Sequence, residues 1–278
     1  MEPQASVIIP LLNQPDKWLE QCVDSAIGQT VHCEVIVVVS SRTGPSNIDT
    51  LKRKNAESLL IVPEDGESFP IALNTGIHKA STDRVRFLLS DDWLEPNAVE
   101  KCLSHSKDIV STNKTQYDAT GTKRLRTHRS PRMMAGFHRM RTLEEKADYL
   151  THFFLFERET LRAVGGVDET IGLTGSDDYD LIWTLLEHGA TVGIVEMSLY
   201  NKRDHSGSRL TLRSPEEQVE DFKKILDKHG VFGKQRERLI RAKSKWFGAP
   251  LHVAAQKMRE EQALWHRWKR AMGRIFSR

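Results

Sequence analysis

Short runs of β-branched residues alternate with helical spacing through the first half of the chain. Val7-Ile8-Ile9 is an apolar run that stops at Pro10, as a buried strand does. Leu19, Cys22, Val23, Ala26 and Ile27 then recur at the spacing of one helix face. Residues 35–39 are unbroken Val and Ile, the pattern of a strand covered on both sides. Ser46 is placed to cap a helix through 51–56, followed by a strand over 59–62 and a helix over 69–80. Residues 85–89 and 109–112 read as further buried strands. This alternation predicts an α/β fold with a mostly parallel, Rossmann-like sheet flanked by helices.

The middle of the chain changes character. Asp118-Ala119-Thr120-Gly121 reads as a turn between two strands. Residues 123–141 form a basic, Met-containing stretch with no clear period, read as a long functional loop. A strand over 153–156 and a helix over 178–188 follow, the helix facing Leu181, Ile182, Leu185 and Leu186 inward. Residues 192–199 close the sheet, and from Ser214 onward the pattern is helical, with Pro215 in a first turn.

Composition narrows the class. With 278 residues, 38% hydrophobic and 28% charged, the chain suits a globular protein with a real core. A net charge of +3 gives no argument for nucleic acid. Thirteen Lys/Arg against three Glu in residues 233–278 leave the rest of the chain at about −7. Three cysteines, Cys22, Cys33 and Cys102, have no metal or redox spacing and read as reduced thiols of a cytoplasmic protein. The first residues lack the basic start and apolar run of a signal peptide, and no window nears the roughly 18 apolar residues of a membrane span. Membrane contact would therefore be peripheral.

Parallel sheets hold ligands beyond the carboxyl ends of their strands. Three segments fall there: 10–13, 40–42 and 90–93. No G-x-G-x-x-G and no Walker loop follows a strand, which gives neither dinucleotide nor P-loop chemistry support. Ser90-Asp91-Asp92-Trp93 follows a buried strand directly, and its two adjacent carboxylates need something positive beside them. They read either as a solvated turn before the helix after Pro96, or as one metal ligand and one ribose contact. Ser176-Asp177-Asp178-Tyr179-Asp180 opens a helix, where carboxylates are favoured for purely structural reasons. The glycines before it, Gly165, Gly166, Gly172 and Gly175, would let backbone approach a ligand.

Taken together, these segments resemble a known family. Ser6-Val7-Ile8-Ile9-Pro10-Leu11-Leu12-Asn13, Phe87-Leu88-Leu89-Ser90-Asp91-Asp92-Trp93, Val164-Gly165-Gly166-Val167-Asp168-Glu169 and Asp177-Asp178-Tyr179-Asp180-Leu181 occur in that order. They look like the family 2 inverting glycosyltransferases of the GT-A fold. Ala72-Leu73-Asn74-Thr75-Gly76 matches that family's alanine–arginine–asparagine–x–glycine helix, and Arg203-Asp204-His205 with Ser208 its arginine–x–histidine segment. The resemblance covers residues 5–212 and implies a catalytic domain over 1–212, with a basic helical extension over 213–278.

The resemblance also implies roles. Pro10, Asn13, Ser40 and Asn74 would line the donor pocket, and Asp91 would contact the donor's ribose or sugar. Asp92 would hold Mn²⁺ or Mg²⁺ on the diphosphate, with His205 near the metal. Asp178 would be the general base, with Asp177 and Trp93 on the acceptor side. The donor would be a nucleotide-diphosphate sugar. The acceptor would be a saccharide or lipid-linked saccharide, in bacterial surface polysaccharide or glycolipid assembly. This agrees with the chemistry, since one carboxylate must activate the attacking hydroxyl while the leaving diphosphate is neutralised.

Departures from the pattern are equally specific. The aspartate pair that reads the base is replaced by Val39-Ser40-Ser41, the family's arginine by Leu73, and the first aspartate of Asp-x-Asp by Leu89. Arg42 or an arginine of the 123–141 loop would have to compensate. These losses keep open a catalytically inactive nucleotide-sugar-binding module. A nucleotidyltransferase is disfavoured, because 11–17 lacks a glycine-rich phosphate loop. Trp93 and His152 each have a plain packing role as their alternative. In the tail, Leu264, Trp265, Trp268, Met272, Ile275 and Phe276 form an apolar stripe with Arg267, Arg270 and Arg274 off it. Residues 250–278 thus read as a helix lying on an anionic inner-membrane surface, or docked on the catalytic domain or a second subunit.

Overall fold

The computed structural model describes residues 2–127, 133–150, 154–171, 177–205 and 214–244. His152, Gly172, Gly175, Ser176, Ser208, part of the basic loop and the tail over 250–278 lie outside the described residues.

Strand β1 (Ala5–Leu11) runs between β2 (Cys33–Val39) and β4 (Arg84–Phe87), with β3 (Leu59–Pro63) beyond β2, all parallel. Past β4 come β8 (Phe154–Glu157), β6 (Ile109–Tyr117), β9 (Val192–Arg203) and the two-residue β5 (Trp93–Leu94). The full order is β3-β2-β1-β4-β8-β6-β9-β5, with β7 (Arg124–Thr127) on β6. β6 and β9 pair in parallel, while β8, β5 and β7 join antiparallel. Parallel pairing thus covers most of the paired length, as the strand–helix alternation predicts.

The unbroken apolar strands are explained by cover on both faces. Val7 and Ile9 point into one cluster with Leu19, Cys22, Val23 and Ala26 of α1 (Asp16–Ile27) and Ala98, Val99 and Cys102 of α4 (Ala98–Leu103). Ile8, between them, points the other way. It lies on α3 (Phe69–Lys79), in the cluster that holds Ala72, Leu73 and Ile77 and the inward residues of α8 (Asp177–Glu187). Phe222, Ile225 and Leu226 of α9 (Pro215–Lys228) and Leu239 of α10 (Gly233–Ser244) join the same cluster, so the core continues past residue 212. Gly76 lets α3 lie close on β1, since a Cβ there would stand 2.3 Å from Ile8 Cγ2.

Several boundaries differ from the sequence reading. Pro10 lies inside β1 rather than ending it. Ile8 O accepts from Leu88 N–H on the β4 side, and two residues later that side has no strand left to bond. Helix α2 (Pro45–Arg53) begins at Pro45 with Gly44 as its N-cap, so Ser46 is not the cap. Its hydroxyl donates to Asp16 instead, at 2.6 Å. The stretch over 123–141 is not one irregular loop. It contains β7, and α5 (Met134–Arg139) precedes α6 (Leu143–Tyr149), which a Thr142–Glu145 capping box opens. β6 and β9 run past their apolar starts, because buried polar residues such as Asn113, Thr115, Gln116, Asn201 and Arg203 extend the ladder. The helix from Ser214 forms as expected, with Pro215 in its first turn and Ser214 and Glu217 closing a capping box.

Candidate active site

The site forms where β4 runs out. Leu88 N–H still donates to Ile8 O at 2.9 Å, and Asp92 N–H then closes a turn on Leu89 O at 3.0 Å. That turn sends the two carboxylates in different directions. Asp92 is 1% exposed. Its Oδ2 accepts from the Tyr200 hydroxyl at 2.8 Å, and its Oδ1 accepts from the Arg203 backbone N–H at 2.7 Å. Burial pushes its carboxyl well above the usual range, and the Asp91 charge adds to this. Asp91 Oδ2 instead lies 2.7 Å from His205 Nε2, both side chains keeping a narrow opening to solvent at 16% and 10% exposure.

Arg203 holds this arrangement together. Its Nε donates to Asp91 O at 3.0 Å, Nη1 to Ala119 O at 3.0 Å and Nη2 to Gln21 Oε1 at 2.5 Å. The guanidinium lies over Trp18 and Trp93, 4.8 and 5.0 Å from the ring centroids. Burial lowers its pKa, against the opposing pull of Asp92 and Asp91. Gly121, with φ +74°, leaves room for Nη1, which a Cβ would approach to 2.5 Å. Trp18 also stands 4.8 Å from the His205 ring. One side chain thus ties α1, the end of β4, β5, the β6–β7 turn and β9 around Asp91.

The expected donor residues divide. Pro10 is buried in β1. Asn13, exposed beyond β1, accepts from Gly44 N–H at 2.7 Å and donates to Arg42 O at 3.0 Å, shaping the loop after β2. Ser40 lies beside it, its N–H donating to Leu11 O at 3.1 Å. Asn74 is drawn elsewhere. Its Nδ2 donates to Val167 O and Glu169 Oε1, both at 2.9 Å, and its Oδ1 accepts from Val167 N–H at 2.8 Å. The residue expected to touch the donor therefore clasps the loop after α7 (Arg158–Ala163). Gly165 and Gly166, at φ +83° and +79°, turn that loop under it. The 210 Å³ cavity beside Asn74 is lined by Ile77, His78, Arg162 and these glycines, with no strand-end residue among them.

Asp177 and Asp178 open α8, whose far end delivers the chain to the start of β9. This turns the first residues of α8 toward the carboxyl edge of the parallel strands. Asp177 is buried, while Asp178 is half-buried with Oδ1 accepting from Tyr179 N–H at 2.7 Å. The ring of Trp93, expected on the acceptor side, is taken up between Tyr117, at 4.9 Å, and Arg203. Tyr200, Trp18 and Gln21 were not singled out by sequence. The Arg203-Asp204-His205 segment was the available pointer, with Tyr200 three residues before it.

Residues 6–165 match the profile of Glycosyl transferase family 2. Over 219 residues the chain is 28% identical to O-antigen biosynthesis protein RfbC of Myxococcus xanthus, covering 74% of this chain and 16% of that protein. It is 25% identical to a chondroitin synthase of Escherichia coli, covering 81% of this chain and 32% of that protein. The chain thus spans a third or less of these two relatives' length. Among solved structures it resembles the mannosyltransferase PcManGT of Pyrobaculum calidifontis in complex with GDP-Man and Mn²⁺. That match has a TM-score of 0.61 and 17% identity, over 95% of this chain and 81% of that one. S. aureus TarS 1-349 in complex with UDP is similar at a TM-score of 0.57 and 18% identity, over 80% and 64%. At such identities these structures speak for a shared GT-A-like fold alone.

Proposed function

Because the chain belongs to glycosyl transferase family 2, we propose that it moves a sugar from a nucleotide-diphosphate sugar to an acceptor hydroxyl with inversion. The observation that carries this reading is the Asp91–His205 pair at the end of β4, held by Arg203. The metal assignment moves with it, from Asp92 to Asp91. Both Asp92 oxygens already accept hydrogen bonds inside the protein, whereas Asp91 and His205 offer a hard oxygen and an imidazole nitrogen at one point. Among the described residues no group of three or more His, Cys, Asp or Glu gathers to hold an ion. Asp91 and His205 would therefore hold Mn²⁺ or Mg²⁺ jointly with donor phosphate oxygens. When bound, the cation would neutralise the leaving diphosphate.

The protein's own residues carry the rest. Asp178 takes the proton of the acceptor hydroxyl as its oxygen bonds to the anomeric carbon. The bond from that carbon to the diphosphate oxygen breaks, and its electron pair leaves with the nucleoside diphosphate. A single displacement inverts the anomeric centre. Asn13 and Ser40 line the nucleotide side, and Arg203 keeps Asp91 and His205 in place. Products named for O-antigen and chondroitin synthesis in the relatives suit a saccharide or lipid-linked acceptor in surface polysaccharide assembly.

Calorimetry with a nucleoside diphosphate tests the site. Tight binding in Mn²⁺ and weak binding in chelator are expected, and equal affinity in both overturns the metal reading. Binding without transfer to any acceptor would favour the inactive module that Ser40 and Leu73 keep open. No described helix is long and apolar enough to cross a membrane. The amphipathic stripe over 264–276 would rest on anionic lipid, so truncation before Pro250 should release the protein from anionic vesicles.

A further inference from the structure

Glu64 stands at the carboxyl end of β3 with one carboxylate oxygen that has no hydrogen-bond partner among the described residues. β2 and β3 run parallel with Val39 opposite Pro63, and Glu64 N–H donates to Val39 O at 2.9 Å. Glu64 is therefore beside Ser40, which in turn bonds to Leu11 at the end of β1. The neighbouring acidic groups behave differently. Glu67 Oε1 accepts from the Ser41 hydroxyl at 3.1 Å, and Asp65 is exposed, its N–H donating to Thr75 Oγ1 of α3 at 3.1 Å. Glu64 is half-buried, and its Oε1 is shut off from water with no hydrogen-bond partner among the described residues. A carboxylate oxygen in that state is costly, and the cost is removed when a ligand N–H supplies the missing bond.

Position limits what that ligand is. Glu64 follows β3 and Asp91 follows β4, three strand spacings apart, about 14 Å along the carboxyl edge. An extended nucleoside diphosphate covers such a distance from base to outer phosphate. With the diphosphate at Asp91, the base reaches Ser40 and Glu64. The same edge lacks the aspartate pair that the family resemblance leads one to expect after β2, where Val39-Ser40-Ser41 stand.

We infer that Glu64 reads the base of the bound nucleotide, accepting a hydrogen bond from a ring imino N–H. This rests on the nucleotide-sugar reading above and sharpens it. Uracil and guanine carry such a ring N–H on the edge they present. Adenine and cytosine present a bare ring nitrogen there, whose lone pair would face the carboxylate. Glu64 therefore selects uridine or guanosine diphosphate donors and rejects those of adenosine and cytidine.

The test is calorimetry of the full chain with UDP, GDP, ADP and CDP in Mn²⁺, repeated with Glu64→Gln and Glu64→Ala. A charged acceptor bond should favour UDP or GDP over ADP and CDP on the order of ten- to a hundredfold. Glu64→Gln, whose amide can donate to a bare ring nitrogen, should erase or reverse that preference at unchanged melting temperature. Glu64→Ala should lower UDP or GDP affinity and raise that of ADP and CDP, whose ring nitrogen no longer faces a carboxylate. Equal binding of all four by the wild type, or a preference that survives Glu64→Gln, overturns the role of Glu64 alone. Failure of all four to bind removes the nucleotide reading, and Glu64's role with it.

Discussion

The His229 ring lies flat on that of Trp183, with 4.1 Å between centroids and 3° between planes. Its two nitrogens meet Asp180 at 3.0 Å and Glu187 at 2.9 Å, and its side chain is 1% exposed. Lys228 beside it bridges Asp180 at 2.7 Å and Asp168 at 2.9 Å. The end of α9 is thereby clamped to α8, the helix whose first turn carries Asp177 and Asp178.

His229→Ala should cost about 2–4 kcal/mol, because it leaves a gap against Trp183 and strips Asp180 of one buried partner. Urea unfolding measures this. A loss under 1 kcal/mol would mean that α9 is held by its apolar face alone.

Lys228→Met tests the same clamp through pH. Burial works to lower the Lys228 pKa, but the hydrogen bonds to Asp180 and Asp168 outweigh it and raise the value. A raised folded value gives stability that is full below the unfolded pKa of about 10.4 and is lost as pH rises through the folded one. Asp168 is the mirror case. Burial raises it, while bonds from Thr170 and Lys228 bring it down overall. Its stability is present above an unfolded pKa of about 3.9 and is lost as pH falls through the folded value. The variant should lose stability at neutral pH and show weaker dependence on both flanks, read from melting temperature at pH 3 to 11.

Asp91→Asn and Asp92→Asn should separate two failures. The first should keep its fold and lose Mn²⁺-dependent donor affinity by at least about tenfold. The second should melt earlier, because an amide replaces one of two acceptors facing Tyr200 and Arg203. It should keep Mn²⁺-dependent binding at temperatures where it is folded. The reverse pattern would restore the metal to Asp92.

Asp178→Asn removes the proton acceptor and keeps the side chain's shape. Turnover should fall by about 10²–10⁴ while donor affinity changes little. Near-normal turnover, or a product with retained anomeric configuration, would end this assignment.

Gly166→Ala combines a φ of +79° with a Cβ only 2.4 Å from Asn74 Oδ1. It should cost about 2–4 kcal/mol by unfolding, more than Gly165→Ala, which meets strain without a clash.

How much of this could be read beforehand follows from how local each signal is. β1 to β4 were legible because Val7–Ile9 and 35–39 announce buried strands within a few residues. Asp91-Asp92 was legible as a candidate site, but not which carboxylate faced out, since that depends on Tyr200 and Arg203 more than a hundred residues later. Asn74 stood in a recognisable motif, yet its partner Val167 is 93 residues away, and the letters alone assigned it to the donor. The turn at 118–121 announced a strand on either side, but the extent of β7 was lost in the basic stretch, because its exposed Leu125 has no apolar neighbours and gains strand character only from pairing with β6.

β9 enters the sheet between β6 and β5 and brings Tyr200, Arg203 and His205 to a turn completed by residue 92. During synthesis, the ribosome has therefore made every described strand but one while the candidate site is still open. Until residues 192–205 emerge, β6 has a free edge, and Asp92 lacks the hydroxyl and amide that hold it. A fragment ending at 165, where the family profile stops, would contain the motif but should expose that edge and aggregate. The last of the described strands is also the one that completes the candidate site.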